Sequence, residues 1–205
     1  MQVFLTTERL LLRPFAPDDL DNLCALDSDP AVMQYISGGI PTPPEIIRDE
    51  TLPRFLRPNE LFAGHDFWAA IERSTGEFLG WFEFRPPEAG PTEEVELGYR
   101  LRQAAWGKGY ATEGSRALIH KGFTELGVRR VVASTYEDNI GSQRVMQKAG
   151  MTLVRTFRMT PAELEAHGLD PDIIWEGDDV EYALEKADWE RQQAAADDRK
   201  QSRTP

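Results

Sequence analysis

The sequence has almost no cysteine and no long apolar run. Cys24 is the one cysteine among 205 residues, which excludes an intramolecular disulfide and a cysteine-based metal cluster. No stretch approaches the roughly 18 consecutive apolar residues of a membrane-spanning helix. The opening MQVFLTTERL lacks the cationic start and apolar core of a signal peptide. We therefore expect a soluble, cytoplasmic protein without a membrane partner.

Cationic residues are also scarce. The 23 Lys and Arg residues face 35 Asp and Glu residues, which gives a formal net charge of -12. Such a charge repels nucleic acid backbones and anionic membranes and favours cationic partners. The three histidines, at positions 65, 120 and 167, are scattered along the chain, so we expect no metal site.

The remaining composition is that of a globular protein, with 40% hydrophobic and 10% aromatic residues. A chain of this length buries roughly 70% of its unfolded surface, and no repeat of 20 to 50 residues indicates a solenoid or propeller. From residue 187 onward the sequence lacks an apolar stripe. We predict one domain over residues 1–186, followed by a frayed helix or flexible tail over 187–205.

The order of the predicted elements indicates an α/β fold. Thr42 and Glu45 have the spacing of a capping box, and the helix that follows should end or kink before Pro53. Gly98, in the middle of a strand, suggests a bulge or a closely approaching ligand. A strand, helix and strand near residues 94–135 should form a right-handed parallel crossover. The predicted strands lie near residues 10–13, 67–72, 78–85, 94–101, 131–135, 152–157 and 180–184, with helices after residues 17, 43, 109 and 139.

A glycine turn between a strand and a helix, WGKGYATE at residues 106–113, carries the clearest chemical signal. Glycines let successive backbone N–H groups point outward, and a helix N-terminus adds partial positive charge, so the turn is suited to an anion. A bare tight turn is the alternative. The spacing is wrong for a P-loop, and Thr112 stands where a dinucleotide-binding motif needs its third glycine.

Four segments in order resemble the GCN5-related N-acetyltransferase family, in its branch of ribosomal-protein alanine N-acetyltransferases (RimJ/RimL-like). They are TERLLLRPFAPDDLD, ELGYRLRQAAWGKGYATEGSRALIHKGF, DNIGSQRVMQKAGM and DVEYALEKADW. The resemblance implies the acyl-CoA N-acyltransferase fold, a mixed central sheet with splayed parallel strands flanked by helices. It also implies direct acetyl transfer from acetyl-CoA to a primary amine. The first candidate for this amine is the N-terminal α-amine of a ribosomal protein or peptide. A small amine, such as a polyamine, amino acid or antibiotic, is the alternative acceptor, and a non-catalytic acyl-CoA-binding module is the alternative function.

The resemblance also implies a set of residues for acetyl-CoA. Backbone exposed in the gap between the splayed strands should pair with pantetheine, the glycine loop should hold the pyrophosphate, and Asn139 should reach the pantetheine or merely cap its helix. Arg144 or Lys148 is the candidate for the adenosine 3'-phosphate, and no metal is expected. The predicted acetyl-CoA contacts are Tyr99, Leu101, Gly107, Lys108, Gly109, Tyr110, Ala111, Thr112, Asn139, Ser142 and Lys148.

Two positions depart from the family pattern. Ala104 replaces a common Gln or Arg, which removes one side-chain phosphate contact. Met146 replaces the Tyr that protonates the leaving thiolate in many relatives, so Ser142 is the predicted acid, with a polar first-turn residue as the alternative. Glu96 is the predicted base, acting through water, although it is equally well a surface carboxylate.

The reaction needs a neutral amine, and a protein α-amine has a reference pKa near 7.8 against 10.4 for lysine, so it needs less help from a base. The backbone N–H near Leu101 should meet the oxyanion. The acidic segment 158–179 should attract a cationic amine, with a solvated loop as the alternative. The chain is expected to be a monomer or a homodimer.

Overall fold

The computed structural model describes residues 3–59, 64–87, 93–158, 160 and 177–201. These residues form an eight-stranded sheet with helices on both faces and a separate two-stranded ribbon. The strands are β1 (Leu5–Thr6), β2 (Leu10–Pro14), β3 (Pro58–Asn59), β4 (Gly64–His65), β5 (Phe67–Glu72), β6 (Phe78–Arg85), β7 (Glu94–Leu101), β8 (Arg130–Tyr136), β9 (Thr152–Phe157) and β10 (Asp179–Glu185).

Within the described residues there are six longer helices, besides two 3-10 turns at Pro17–Asp19 and Gln103–Ala105. The third is built from three consecutive pieces, α-helical over Pro44–Ile46, π-helical over Ile47–Thr51 and α-helical over Leu52–Leu56, and we call it α3. The other helices are α1 (Leu20–Asp27), α2 (Pro30–Ser37), α4 (Tyr110–Glu125), α5 (Ile140–Lys148) and α6 (Lys186–Gln201).

The sheet is mixed, with the strand order β1-β2-β5-β6-β7-β8-β10-β9. Its strands pair antiparallel except for β7 and β8, which are parallel because α4 crosses over between them. The three strands predicted near residues 67–72, 78–85 and 94–101 are present as β5, β6 and β7, and they form an antiparallel meander. The predicted fold is therefore confirmed at the level of topology.

Alternation along the strands divides the core between the two sheet faces. On one face α4 and α5 cover Phe82, Phe84 and Leu97. On the other face α1, α2 and α3 cover Phe67 and Trp81. Successive residues of a strand point to opposite faces, so β7 has its buried odd-numbered residues toward α4 and its even-numbered residues toward α1–α3.

One local prediction is wrong, and at a second position one of two predicted alternatives is excluded. Thr42 is not a helix cap, because Pro43 is the N-cap residue and no side chain bonds the first turn. Gly98 is not at a bulge, because its register opposite Glu83 is regular; the β5–β6 pair is the one that shifts, between Ala70 and Ile71. The irregularity expected before Pro53 is present as the π-helical piece of α3.

The last described element, α6, packs back on the sheet layer. The Trp189 ring lies 5.5 Å from the Phe123 ring and 5.6 Å from the His120 ring, measured between centroids, and Gln192 donates to the Gly150 carbonyl at 3.0 Å. Searching the described residues finds no helix with the length and apolarity needed to cross a membrane. The boundary at residue 186 stays a prediction.

Candidate active site

The parallel strands β7 and β8 separate partway along their length. They pair at Glu94, Val95 and Glu96 of β7, yet β7 continues to Leu101 and β8 to Tyr136. Beyond these three pairs β7 stays bonded to β6, and β8 stays bonded to β10. A wedge-shaped gap thus opens in the middle of the sheet, and its walls are strand backbone.

The backbone of β7 turns polar groups into this gap. The N–H of Arg102 donates to the Leu79 carbonyl of β6 at 2.8 Å, and neighbouring residues of a strand direct their backbone groups to opposite sides. The N–H and C=O groups of Leu97, Tyr99 and Leu101 therefore face away from β6. The indole Nε1 of Trp106 donates to the Leu101 carbonyl at 2.8 Å, which leaves the Leu101 N–H as the group of that residue directed into the gap.

A hydroxyl pair bridges the gap. The Tyr99 hydroxyl lies 2.9 Å from the Ser142 Oγ and 3.1 Å from the Ser142 carbonyl oxygen. Burial raises the pKa of Tyr99 to about 12, although the hydrogen bond with Ser142 opposes the rise. The phenol therefore keeps its proton at neutral pH. Two residues predicted separately, on a strand and on a helix, are thus in direct contact.

Asn139 fixes the beginning of α5 and with it Ser142. Its Oδ1 accepts the Ser142 N–H at 3.1 Å, and its Nδ2 donates to the Thr135 hydroxyl at 3.0 Å. Asn139 is therefore the N-cap of α5, as one of the two sequence interpretations held. One of its two amide protons is used by Thr135, so a second remains for a ligand in the gap.

The glycine loop lies at the wide end of the gap. Gly107 and Gly109 have φ values of 71° and 86°, a left-handed conformation that other residues adopt only with strain. Gly109 is the N-cap residue of α4, and Tyr110 begins the helix. Residues 107–109 are exposed. The first N–H groups of the helix have no partner within it, so the loop is suited to an anion.

Glu113 anchors this loop to the start of the chain. Its carboxylate accepts the Thr7 hydroxyl at 2.6 Å, the Arg9 N–H at 2.9 Å and the Arg9 Nε at 2.6 Å, while Arg9 Nη1 donates to the Lys108 carbonyl at 2.9 Å. Burial opposes ionisation of Glu113, but these donors outweigh it and lower its pKa. The opening segment of the sequence therefore holds the loop in place.

Tyr110 is held in the same way by a second carboxylate. Its hydroxyl donates to Glu72, which lowers the pKa of Glu72 and raises the pKa of Tyr110. The Arg9 guanidinium lies over the Tyr110 ring, 4.6 Å from its centroid. Since the Tyr110 side chain is buried and occupied, its contribution to a ligand is the backbone N–H.

The remaining predicted cofactor residues differ in position. Lys108 has an exposed side chain beside the loop, and Ala111 and Thr112 are half-buried in the first turn of α4. Lys148 ends α5, and its carbonyl accepts the Arg116 Nε at 2.9 Å. It lies about 13 Å along the helix from Asn139. Met146, where many relatives have tyrosine, is buried in the core.

Charged side chains collect on the face of β7 that looks toward α1–α3. Arg100 Nη1 lies 2.7 Å from the Asp27 Oδ2 at the end of α1. The predicted base Glu96 lies on this face as well, with its Oε2 3.4 Å from Arg85 Nη2, and Arg85 Nε also bonds Glu83. Glu96 is therefore part of an ion-pair cluster and is not an isolated surface carboxylate.

The acidic segment proposed to attract an amine falls mainly on residues 159 and 161–176, which lie outside the described residues. Two acids of the segment, Asp178 and Asp179, are described, and the Asp178 Oδ1 lies 2.9 Å from Arg158 Nη2. The Tyr35 hydroxyl of α2 donates to the Asp138 carbonyl at 3.2 Å. The end of α2 is thus adjacent to the start of α5.

Sequence reasoning missed Glu83, Arg9 and Glu113 as parts of the site. Arg9 and Glu113 both lie inside the family motifs, and their opposite charges could have indicated that they form an ion pair. No such signal was available for Glu83, because the sequence of its strand does not show which residues lie beside it on the neighbouring strand.

Comparison with known proteins connects this geometry to a reaction. The family model described as "Acetyltransferase (GNAT) domain" matches residues 9–152. The FsC-acetyl coenzyme A-N(2)-transacetylase of Aspergillus fumigatus is 32% identical over 199 residues, which cover 94% of this chain and 80% of that protein.

Two solved structures extend the likeness to the fold. An acetyltransferase of the GNAT family from Bacillus anthracis is 27% identical, with a TM-score of 0.72 over 91% of this chain and 99% of that one. RimL, a ribosomal L7/L12 alpha-N-protein acetyltransferase in complex with coenzyme A, is 18% identical, with a TM-score of 0.68 over 90% of this chain and 98% of that one. The second likeness is one of fold.

Proposed function

Because this chain belongs to the GNAT family and is an acetyl-CoA-dependent N-acetyltransferase, we propose that its acceptor is the N-terminal α-amine of a protein or peptide, such as a ribosomal protein. The acetyl group passes directly to the amine within a ternary complex. No covalent acetyl-enzyme is required, since the amine itself can attack the thioester.

The observation that carries the proposal is the gap between β7 and β8 with the glycine loop at its wide end. The thioester arm fits the gap, where the backbone groups of Tyr99 and the Leu101 N–H are directed toward it. The pyrophosphate fits the loop, where Gly107, Lys108 and Gly109 are exposed at the positive end of α4. Backbone N–H groups replace the side-chain contact that Ala104 cannot make.

Residues on the two sides of the gap have different tasks in this proposal. The Leu101 N–H stabilises the oxyanion that forms on the thioester oxygen. Ser142 donates to the leaving sulfur, and the protonated Tyr99 phenol fixes the orientation of the Ser142 hydroxyl at 2.9 Å. Carboxylates on the α1–α3 face, with Glu96 as the one predicted from the sequence, receive the proton that the amine loses.

A small primary amine is the second candidate acceptor. It is favoured by the relative from Aspergillus fumigatus, whose name gives acetyl coenzyme A as donor and N(2) as acceptor and which aligns with 94% of this chain. The protein α-amine stays first because it is partly neutral at pH 7 and needs the weaker base.

An acceptor panel tests the proposal. The purified chain is mixed with acetyl-CoA and, in separate reactions, with ribosomal N-terminal peptides, the same peptides with blocked α-amines, polyamines, amino acids and an aminoglycoside. Free thiol is measured against time. We expect the highest kcat/KM for a peptide with a free α-amine, and none for its blocked form. A higher kcat/KM for a small amine would assign the second candidate.

A further inference from the structure

Two carboxylates of neighbouring strands share one arginine on the face of the sheet that looks toward α1–α3, which we call the acceptor face. Arg85 of β6 bonds Glu83 through its Nε, and its Nη2 lies 3.4 Å from the Glu96 Oε2 on β7. The Glu83 side chain is 15% exposed and the Glu96 side chain 28%. The cluster is thus largely withdrawn from solvent, although both carboxylates keep a small exposed area on that face.

Glu83 lies directly against the strand that lines the gap. It is opposite Gly98 in the β6–β7 register, and a Cβ at position 98 would be 2.8 Å from its Oε2 and 3.2 Å from its Cβ. Gly98 has no positive φ, so a turn is not the reason for a glycine there. The missing side chain leaves the space that the Glu83 carboxylate occupies.

This contact is close to the reacting groups. The last β7–β8 pair is Glu96 with Val132, so Gly98 stands two residues inside the gap, between Leu97 and Tyr99. The neighbouring positions direct backbone groups into the gap, while Gly98 faces the α1–α3 side. The Glu83 carboxylate therefore lies on the acceptor face and close to the gap that we propose for the thioester arm.

The charges around Glu83 leave a place for one more cation. Arg85 comes from its own strand, Glu96 from β7, Arg54 from α3, and Asp66, which acts on Arg85, precedes β5. Among these five described groups, with Glu83 included, three are carboxylates and two are guanidiniums. Burial, followed by repulsion from Glu96, raises the pKa of Glu83 against the attraction of both arginines. An ammonium group would restore the balance.

We propose that Glu83 binds the acceptor's ammonium group and takes its proton, with Arg85 and Glu96 as positioning residues. One proton moves from nitrogen to the Glu83 carboxylate. The nitrogen lone pair then forms the C–N bond to the thioester carbon, and the C–S bond breaks with its electron pair on sulfur. Ser142 gives its hydroxyl proton to the thiolate and recovers one from the second proton that the amine loses, and Glu83 returns its proton to solvent. This inference rests on the proposed function and assigns its base to Glu83 in place of Glu96.

The test compares Glu83→Gln, Glu96→Gln and a matched control, Glu181→Gln. Glu181 is also a partly buried glutamate paired with an arginine of the next strand, Arg155, but it lies on β10. The kcat/KM is measured from pH 5 to pH 9 with acetyl-CoA and an Ala-initiated peptide, or with spermidine if the peptide is not acetylated. Calorimetry gives the acetyl-CoA Kd of each variant.

We expect Glu83→Gln to lower kcat/KM by roughly 100-fold or more, with an unchanged acetyl-CoA Kd. A base must be unprotonated to act, so the rate rises with pH through its pKa. Removing Glu96 removes a neighbour that raises this pKa, so in Glu96→Gln the acidic limb should move to lower pH with a smaller loss. Glu181→Gln should match the wild type in both rate and profile.

A Glu83→Gln enzyme with near-normal rate and an unchanged acidic limb would overturn the role of Glu83 and leave the proposed function intact. No transfer by the wild type to either amine would instead contradict the proposed function itself, and this inference with it. Gly98→Ala offers a second variant, since its Cβ meets the Glu83 carboxylate. It should lower kcat/KM in the wild type and have little further effect in Glu83→Gln, and an equal effect in both backgrounds would count against the proposal.

Discussion

The Tyr99 hydroxyl of β7 lies 2.9 Å from the Ser142 Oγ of α5, at the gap between β7 and β8. The strand and the helix that carry them are joined at this point by side chains, where the sheet has no backbone pairing between β7 and β8. Met146 takes the place of the tyrosine acid common in relatives and is buried. Tyr99 and Ser142 therefore place two hydroxyl groups at this side of the gap.

Ser142→Ala should lower kcat by about 10- to 100-fold, because the leaving sulfur loses its donor. Tyr99→Phe should lower kcat less, because Ser142 remains but is no longer oriented. Since the two act as one unit, the double variant should be little worse than Ser142→Ala. Stopped-flow thiol release measures all three.

Tyr182→Phe is the matched control for these Tyr99 and Ser142 variants. Its hydroxyl is also bonded to α5, through Gln143 and Gln147, but it lies on β10, beyond β8. Additive losses in the double variant, or an equal loss in Tyr182→Phe, would contradict the coupling of Tyr99 with Ser142.

Glu113→Ala should weaken acetyl-CoA binding although Glu113 itself need not touch the ligand. It removes the acceptor for Thr7 and Arg9 and releases the bond from Arg9 to the Lys108 carbonyl, so the loop is no longer pre-organised. We expect the Kd to rise about 10-fold, since preorganisation of a binding loop contributes on this scale. Glu125→Ala, on an exposed turn of the same helix, should leave the Kd unchanged. Equal Kd values for both variants would show that the anchor has no part in binding.

The ion pair of Arg13 with Asp19 should make the free energy of unfolding depend on acid pH. Arg13 Nη1 lies 2.6 Å from the Asp19 Oδ2, and Asp19 is 3% exposed. Burial raises the pKa of Asp19, but bonds from Arg13, the Ala16 N–H and Asn22 outweigh it, so its folded pKa is below the ordinary value. The stabilisation is complete above the unfolded pKa near 4 and is lost as the pH falls through the folded pKa.

Asp19→Ala should cost about 3 to 5 kcal/mol at pH 7, because it leaves Arg13 partly buried without its partner. Its loss relative to wild type should shrink below pH 4, as measured by urea unfolding. A difference that stays constant from pH 7 to pH 2.5 would contradict this linkage.

The folding unit is predicted to be residues 1–186, and α6 is predicted to add stability without being essential. A chain ending at residue 186 loses the contacts of Trp189 with Phe123 and His120, so its melting temperature should fall by several degrees. Acetyl-CoA binding should persist, because the gap and the loop lie within residues 94–142. A truncated chain that does not unfold cooperatively would place α6 inside the folding unit.

The topology and the glycine loop were predictable because local sequence patterns specify them. Alternation in EVELGYRL and the glycines of WGKGY specify a strand, a turn and a helix N-terminus in order, and the family motifs give their arrangement. The carboxylate pair was not predictable, since Glu83 and Glu96 are brought together by strand register. The same holds for Tyr99 with Ser142, whose contact depends on where β7 leaves β8.

Gly98 is the clearest example of a residue whose contacts could not be predicted from the sequence. From the sequence, a glycine in the middle of a strand suggested either a bulge of that strand or a closely approaching ligand. The neighbour that occupies the space is Glu83, 15 positions earlier in the chain and opposite it in the register. Such long-range contacts carry no local signal.

The most direct test of the central claim is a single-turnover reaction in which the chain is mixed with one equivalent of acetyl-CoA and an excess of an Ala-initiated ribosomal peptide. Intact-mass spectrometry of protein and peptide accompanies the thiol assay. We predict an N-acetylated peptide in amounts equal to the released thiol, with the protein mass unchanged throughout. An acetylated protein formed before the peptide product, or thiol release without any acetylated amine, would contradict direct transfer to an amine.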